Sequence, residues 1–220
     1  TMLGIIIGVA SVITMIAIGS GAKAAVDQQI DQLGASVLSI RSGSFMRMGV
    51  AQSGAMLTIK DAEAIASRAP SVVGVVPEIA GQLQVKLANR NENLRIAGVS
   101  ANFPGIQSYT IAHGRSFTNA DDSGRRPVAV LGAAVAAKLG SSPDAIVGQT
   151  IYIRGVAFEV LGVFAEKGAS GFRNVDEQVW IPFFTARYRV FGTEQLDSIS
   201  AQMAPGITVE RAIVEIERVM

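Results

Sequence analysis

The residues of this chain that could do chemistry are few, and their spacing argues against a catalytic set. The single His113 stands between Ala112 and Gly114, with Ser116 as the nearest hydroxyl nucleophile. A general base needs a reactive partner and an orienting group, and a histidine in this setting reads as a surface turn residue. The chain has no cysteine, which removes thiol nucleophiles, thiolate ligands and disulfides. With one histidine, ligation by two or more is excluded. Asp121-Asp122 and Asp176-Glu177 are adjacent carboxylates in polar stretches, which read as solvated turns and receive no acid and base roles from spacing. Met46, Met48 and Met56 are the thioethers a copper(I) site would use. With neither His nor Cys beside them, they read as part of a mobile Gly/Ser-rich loop over residues 43–55. The run from Gly19 to Lys23 imitates a phosphate loop, but Ala22 precedes the lysine and Ala24 follows it, where that motif requires Gly-Lys-Ser/Thr. The sequence therefore predicts no catalytic, cofactor or metal residues.

Composition narrows the classes further. A formal net charge of +1 over 220 residues leaves no basic footprint for nucleic acid, and none is expected as a partner. Hydrophobic residues make up 49%, and mean hydropathy is +0.37. Residues 1–22 hold no charged side chain, so all 19 Lys+Arg and all 18 Asp+Glu come later. Such a run matches the roughly 20 residues that span a bilayer, and its aliphatics lie all round a helix. A secretory leader would need a basic start and a shorter apolar core. Gly4 and Gly8 form a small-xxx-small pair suited to close helix packing. Beyond Lys23, Val26, Ile30 and Leu33 recur at helical spacing among Asp and Gln. A continuous helix to Gly34 would be a rod about 50 Å long, with some 15 Å standing above the bilayer core as a stalk. Beginning at Thr1, the chain is expected to be a segment of a longer protein.

The remaining elements must be positioned by this anchor. Residues 35–42 read as a strand, and Thr58 with Asp61 marks a helix start that Pro70 closes. Segments 72–76, 82–88 and 94–99 read as strands broken by Pro77, Gly81 and a polar turn at 89–93. A second unit begins near Ala101. It holds turns at Pro104-Gly105 and 121–124, a short connection at 113–117 and a buried strand at 127–131. A helix over 132–139 closed by Gly140 follows, then a hairpin of 146–154 and 156–164 turning at Gly155. Residues 166–176 read as a loop, 179–184 carry the only tryptophan, and Pro182 suits the first turn of a helix. A strand at 197–203, a turn at Pro205-Gly206 and an amphipathic helix at 208–220 complete the chain. That helix sets Val209, Ala212, Ile213, Ile216 and Met220 on one face.

In order and spacing, TMLGIIIGVASVITMIAIGSGA, LGASVLSI, HGRSF with Asp121 beyond it, PVAVLGAAVAAKLG, IVGQTIYIRGVAFEVLGVFAEKG and VWIPFFTARYRVFG cover nearly the whole chain. Together they resemble the permease subunits of macrolide-exporter (MacB-like) ABC transporters, in the first transmembrane helix and the periplasmic core domain. The resemblance implies an α+β fold in three parts. Residues 1–34 would be transmembrane helix and stalk, 35–97 with 195–220 a split membrane-proximal α/β lobe, and 98–194 an inserted, mainly β distal lobe. It implies a bacterial cytoplasmic (inner) membrane protein whose bulk is extracytoplasmic, with three more membrane helices after the domain.

The same resemblance implies no cofactor in this chain, ATP and Mg being held by an ABC ATPase domain or subunit. The other implied partners are a second permease copy, a periplasmic adaptor, an outer-membrane channel and the lipid bilayer. Motion driven by ATP would reach the external domain through the stalk, with Val26, Ile30 and Leu33 in stalk packing and Gly4 and Gly8 in helix packing. Expelled substrates would be macrolides, peptides or other amphiphiles. Residues 43–55 and the loop around Phe172 are the expected contact segments. The competing readings are a lipoprotein-releasing permease, an anchored binding or sensor module without ATPase, and a membrane-tethered hydrolase, for which no nucleophile and base are found.

Overall fold

The computed structural model describes residues 13–15, 19, 21, 37–43, 45–47, 50–52, 56–170 and 173–220. The chain divides into two units, Thr1–Ser36 and Val37–Met220. In the first, the described residues are helical. Among the described residues no helix is long and apolar enough to cross a membrane. The expected packing positions Gly4 and Gly8, the stalk positions Val26, Ile30 and Leu33, and most of the expected membrane helix lie outside the described residues.

The second unit opens with β1 (Val37–Arg41), β2 (Phe45–Arg47), β3 (Val50–Gln52) and β4 (Leu57–Thr58). Here β2 and β3 pair antiparallel, so the stretch expected to be a plain loop contains a hairpin. Helix α1 (Ile59–Arg68) starts as its sequence dictates, because Asp61 accepts from the Thr58 amide (2.7 Å) and hydroxyl (2.8 Å). Next come β5 (Val72–Leu87) and β6 (Arg90–Val99), which are longer than expected. Pro77 does not break β5, since pairing with β6 starts only at Glu78 and the missing N–H faces a position with no second neighbour. The turn is Ala88-Asn89, with Ala88 at φ +49, and the Asn-rich stretch expected to be a turn is ladder.

After β6 come α2 (Phe103–Ile106), β7 (Ile111–Gly114), α3 (Asn119–Ser123) and β8 (Val128–Leu131). Two expected turns are thus short helices, and His113 belongs to a strand. Helices α4 (Val135–Lys138) and α5 (Pro143–Ile146) lead into β9 (Thr150–Ile153) and β10 (Val156–Phe164). Arg154 and Gly155, both at positive φ, make the two-residue turn that matches strand twist. A small hairpin of β11 (Ala169–Ser170) and β12 (Arg173–Asn174) replaces the expected loop, and a 3-10 turn leads into β13 (Gln178–Pro182). Pro182 caps α6 (Phe183–Thr185) from outside, and a π-helix (Ala186–Phe191) follows directly. The chain closes with β14 (Gln195–Leu196), β15 (Ser198–Met203) and α7 (Val209–Val219).

Among the described residues one mixed sheet runs in the order β1-β15-β5-β6-β13-β8-β10-β7, with β9 joining β10 to the far end of β5. Alternation sets its faces: Leu83, Val85 and Leu87 point to one side, while Gln82, Gln84 and Lys86 point to the other. One face carries two cores end to end. Under α1 and α7 lie Leu57, Ile65, Ile79, Ile199 and Ile216. Under α4, α5 and the π-helix lie Val85, Ile96, Val135, Ile146, Phe158 and Val190. On the opposite face Trp180 packs within 5.0–5.8 Å of the rings of Phe103, Tyr109 and Phe164. Strand β8 is buried on both sides, as its run Val-Ala-Val-Leu and its parallel pairing with β10 require.

Gly98 allows the π-helix to sit on β6, because a Cβ there would stand 2.1 Å from the Ala186 Cβ. Gly98→Ala is expected to lower stability by about 1–3 kcal/mol through overpacking, seen as an earlier urea midpoint in Trp180 fluorescence. Gly105→Ala, at a position with nothing within 4 Å, should stay within about 1 kcal/mol of the parent.

Candidate functional site

The strand that opens the second unit and the strand that leads into its last helix form one ladder. Strand β1 pairs antiparallel with β15, Val37 opposite Gln202 and Arg41 opposite Ser198. The chain therefore arrives before Val37 and departs after Met203 at the same end of the sheet. The departing segment is fastened at once: Ala204 N donates to Ser71 O (2.9 Å), and Ser71 N donates to Glu215 of α7 (3.1 Å). Ala212 and Ile216 seat α7, while Val209, Ile213 and Met220, expected on the same apolar face, stay exposed. What this geometry offers is a rigid junction between two neighbouring connections, with no reacting groups in it.

Of the carboxylates expected in solvated turns, Asp121, Asp122 and Asp176 are buried instead, and Glu177 is half-buried. Asp121, 3% exposed, accepts from the Thr118 amide and hydroxyl (2.9 Å each), from Arg126 (2.8 Å) and from Arg115 (3.3 Å). Burial alone would raise its pKa, but the Thr118 and Arg115 bonds outweigh it and hold the carboxyl below the ordinary value. Asp122, 7% exposed, accepts from Phe184 N (2.8 Å), and burial pushes its carboxyl up. Asp176, also 7% exposed, binds the amides of Lys167 (3.0 Å) and Gly168 (2.7 Å), fixing the turn before β11. Glu177 pairs with Lys138 at 2.5 Å. The reason for the misreading is visible: Thr118-x-x-Asp121 repeats the spacing of Thr58-x-x-Asp61 and makes the same capping box.

His113, Lys167 and Tyr109 are also engaged. His113 Nδ1 lies 2.5 Å from the Asp144 carboxylate, so its partner is an exposed aspartate and not Ser116. Lys167 Nζ donates to the Gln107 carbonyl and stands 4.2 Å from the Tyr109 ring centre, and burial lowers its pKa. Tyr109 is pushed up to about 12 by burial, with Asp176 and Glu78 adding to it. Gln107 also donates to Ser200 of β15 (3.0 Å), so one hydrogen-bonded chain runs from the ladder to the 165–176 segment. Of the two expected contact segments, residues 43–55 carry the β2–β3 hairpin, and Phe172 lies outside the described residues. Met56 is exposed.

Comparison with known proteins gives a coherent picture. The family model for the MacB-like periplasmic core domain matches residues 1–219. A Macrolide export ATP-binding/permease protein MacB from Bdellovibrio bacteriovorus is 34% identical over 206 residues, covering 92% of this chain and 32% of that protein. A Pyoverdine export ATP-binding/permease protein PvdT from Pseudomonas entomophila is 34% identical over 224 residues, covering 100% and 33%. The chain thus spans about a third of the length of these curated relatives. In fold it resembles the periplasmic region of MacB from Actinobacillus actinomycetemcomitans, with TM-score 0.70 and 18% identity over 86% of this chain and 85% of that one. It also resembles the extracellular domain of the noncanonic ABC-type transporter YknZ from Gram-positive bacteria, with TM-score 0.62 and 18% identity over 74% and 82%.

The adjacent buried aspartates Asp121 and Asp122 predict opposite pH behaviour. Asp121 has a depressed folded pKa, so its stabilisation is present above the unfolded value near 3.9 and fades as pH falls through the folded one. Asp121→Asn should cost about 1–3 kcal/mol at pH 7, a gap that closes toward pH 3 in urea titrations. Asp122 has a raised folded pKa, so its contribution is present in acid and lost as pH rises through that value. Asp122→Asn, which keeps the acceptor for Phe184 N, should be at least as stable as the parent at pH 7 and lose that advantage in acid.

Proposed function

Because the chain belongs to the family of MacB-like periplasmic core domains, we propose that it is the extracytoplasmic part of an ABC-type export permease. Its work would be mechanical. The observation that carries this reading is the junction in which Val37 and Gln202 face one another. A domain that receives motion through its first strand needs a stiff coupling of that strand to the main sheet, which β15 supplies by pairing with both β1 and β5. The buried carboxylates support the same reading, since each is spent on holding backbone and none is free for acid–base work.

ATP and Mg would be used on an ABC ATPase domain or subunit, and a second permease copy would complete the dimer in a bacterial inner membrane. A periplasmic adaptor and an outer-membrane channel would continue the path. The names of the relatives, macrolide and pyoverdine exporters, fit an amphiphilic small molecule or peptide as substrate. Gly4 and Gly8 would pack membrane helices, and Val26, Ile30 and Leu33 would pack the stalk that carries motion to β1. The membrane-proximal lobe, 35–97 with 195–220, would centre on the core under α1 and α7 and the distal lobe, 98–194, on the core under α4 and α5, to which the first range also contributes Val85 and Ile96.

In the complete transporter, Ile30→Asp and Leu33→Asp are expected to reduce export by roughly 2- to 30-fold, the span of couplings of about 0.5–2 kcal/mol. Drug-resistance titres measured beside the ATPase rate read this out. Both quantities unchanged would remove the stalk proposal, and a complete protein with no further membrane-spanning segments would remove the permease reading.

A further inference from the structure

We propose that the surface built by the C-terminal turn of α3 and by residues 183–191 is a docking site for an acidic segment of a protein partner. Three independent observations meet there. The first is exposed aromatic surface held in a fixed arrangement. Tyr188 is 49% exposed, with the Arg125 guanidinium 4.1 Å and the Arg187 guanidinium 4.7 Å from its ring centre. Phe184 is 37% exposed and stacks on Tyr188 at 6.4 Å with 19° between the planes. Tyr, Phe and Arg in one rigid cluster are the side chains that dominate protein interfaces.

The second observation is charge. Arg115 and Arg126 both pair with Asp121, Arg126 also reaches Glu159 at 4.0 Å, and Arg187 pairs with Glu194. Among the described residues no carboxylate lies within ion-pair distance of Arg125. Asp122 beneath the surface is buried and its carboxylate is already engaged by Phe184 N. The exposed Arg125 guanidinium is therefore the one in this cluster that no carboxylate among the described residues neutralises. Guanidiniums laid on an aromatic ring keep their N–H edges free to grip carboxylates in a forked geometry.

The third observation is the cost of building it. Arg125 sits at φ +50, a conformation that is unfavourable for a residue with a Cβ. Residues 186–191 form a π-helix, a distortion that collects at functional sites. The two halves are fixed to each other, Phe184 N donating to Asp122 (2.8 Å) and Thr185 Oγ1 to the Arg126 carbonyl (2.9 Å). A partner carboxylate would meet guanidiniums already placed, with little ordering cost left to binding. The site stands apart from the export reading, since nothing in it depends on what the domain transmits.

The test is fluorescence anisotropy with a labelled decaglutamate peptide and the 220-residue chain in non-ionic detergent. Binding is expected, weakening steeply with salt and falling about tenfold or more in the Arg125→Gln, Tyr188→Ala double variant. Arg68→Gln, a change at an exposed arginine of α1, should leave it unaltered. Circular dichroism melts show whether each variant folds, and a folded double variant that binds like the parent overturns the proposal. Equal loss in Arg68→Gln also overturns it, by showing non-specific attraction. Displacement of the peptide by micelles doped with phosphatidylglycerol overturns it in favour of a lipid headgroup.

Discussion

The second unit depends on one uninterrupted strand. The sixteen residues of β5 would extend about 50 Å, and they pair with β15 over the first half, β6 over the second and β9 near the end. Each core on the two-core face rests on a different stretch of this strand, Ile79 belonging to one and Val85 to the other. Backbone hydrogen bonds along β5 therefore do what side-chain packing alone would not, which is to make two separate cores move as one body. Phe191 reinforces the join by packing against both, and Gly81 leaves room for its ring, 2.9 Å from where a Cβ would stand.

Polar groups in this domain serve the backbone. Asp61, Asp121 and Asp176 each accept two or more hydrogen bonds at helix starts and turns, where free N–H groups would otherwise be buried. The helices concerned are short, α3 spanning five residues, and cannot rely on propensity. Carboxylates at fixed spacing from a threonine supply the missing partners. The result is a domain held by local fastenings around a long sheet, with stiffness as its functional property.

Much of this was legible in the residues themselves. The alternation over 82–87, the helix start at Thr58, the turn at Gly155 and the amphipathic 208–220 all state local physics directly, and each element is found where that physics puts it. The errors share a cause. Pro77 and the Asn-rich 89–93 are strand breakers by propensity, and the tertiary pairing with β15 and β6 overrides them. The carboxylates looked solvated because adjacent acids usually are; only their partners in the fold, Arg126, Phe184 and Lys167, show otherwise. The aromatic and arginine cluster was invisible because Arg125 and Tyr188 are sixty-three positions apart and meet only through the fold.

The antiparallel pairing of β1 with β15 also sets how the domain answers to load. Since Val37 and Gln202 are partners at the end where the chain enters β1 and leaves β15, a force that peels β1 from β15 falls on that pair first, then on Leu38 and Ala201. Bonds loaded one at a time open like a zipper, at low force. A push or tilt that moves β1 and β15 together is passed to β5 through the β15–β5 ladder. Built this way, the junction yields to spreading and resists common motion, acting as a directional filter on whatever movement reaches it.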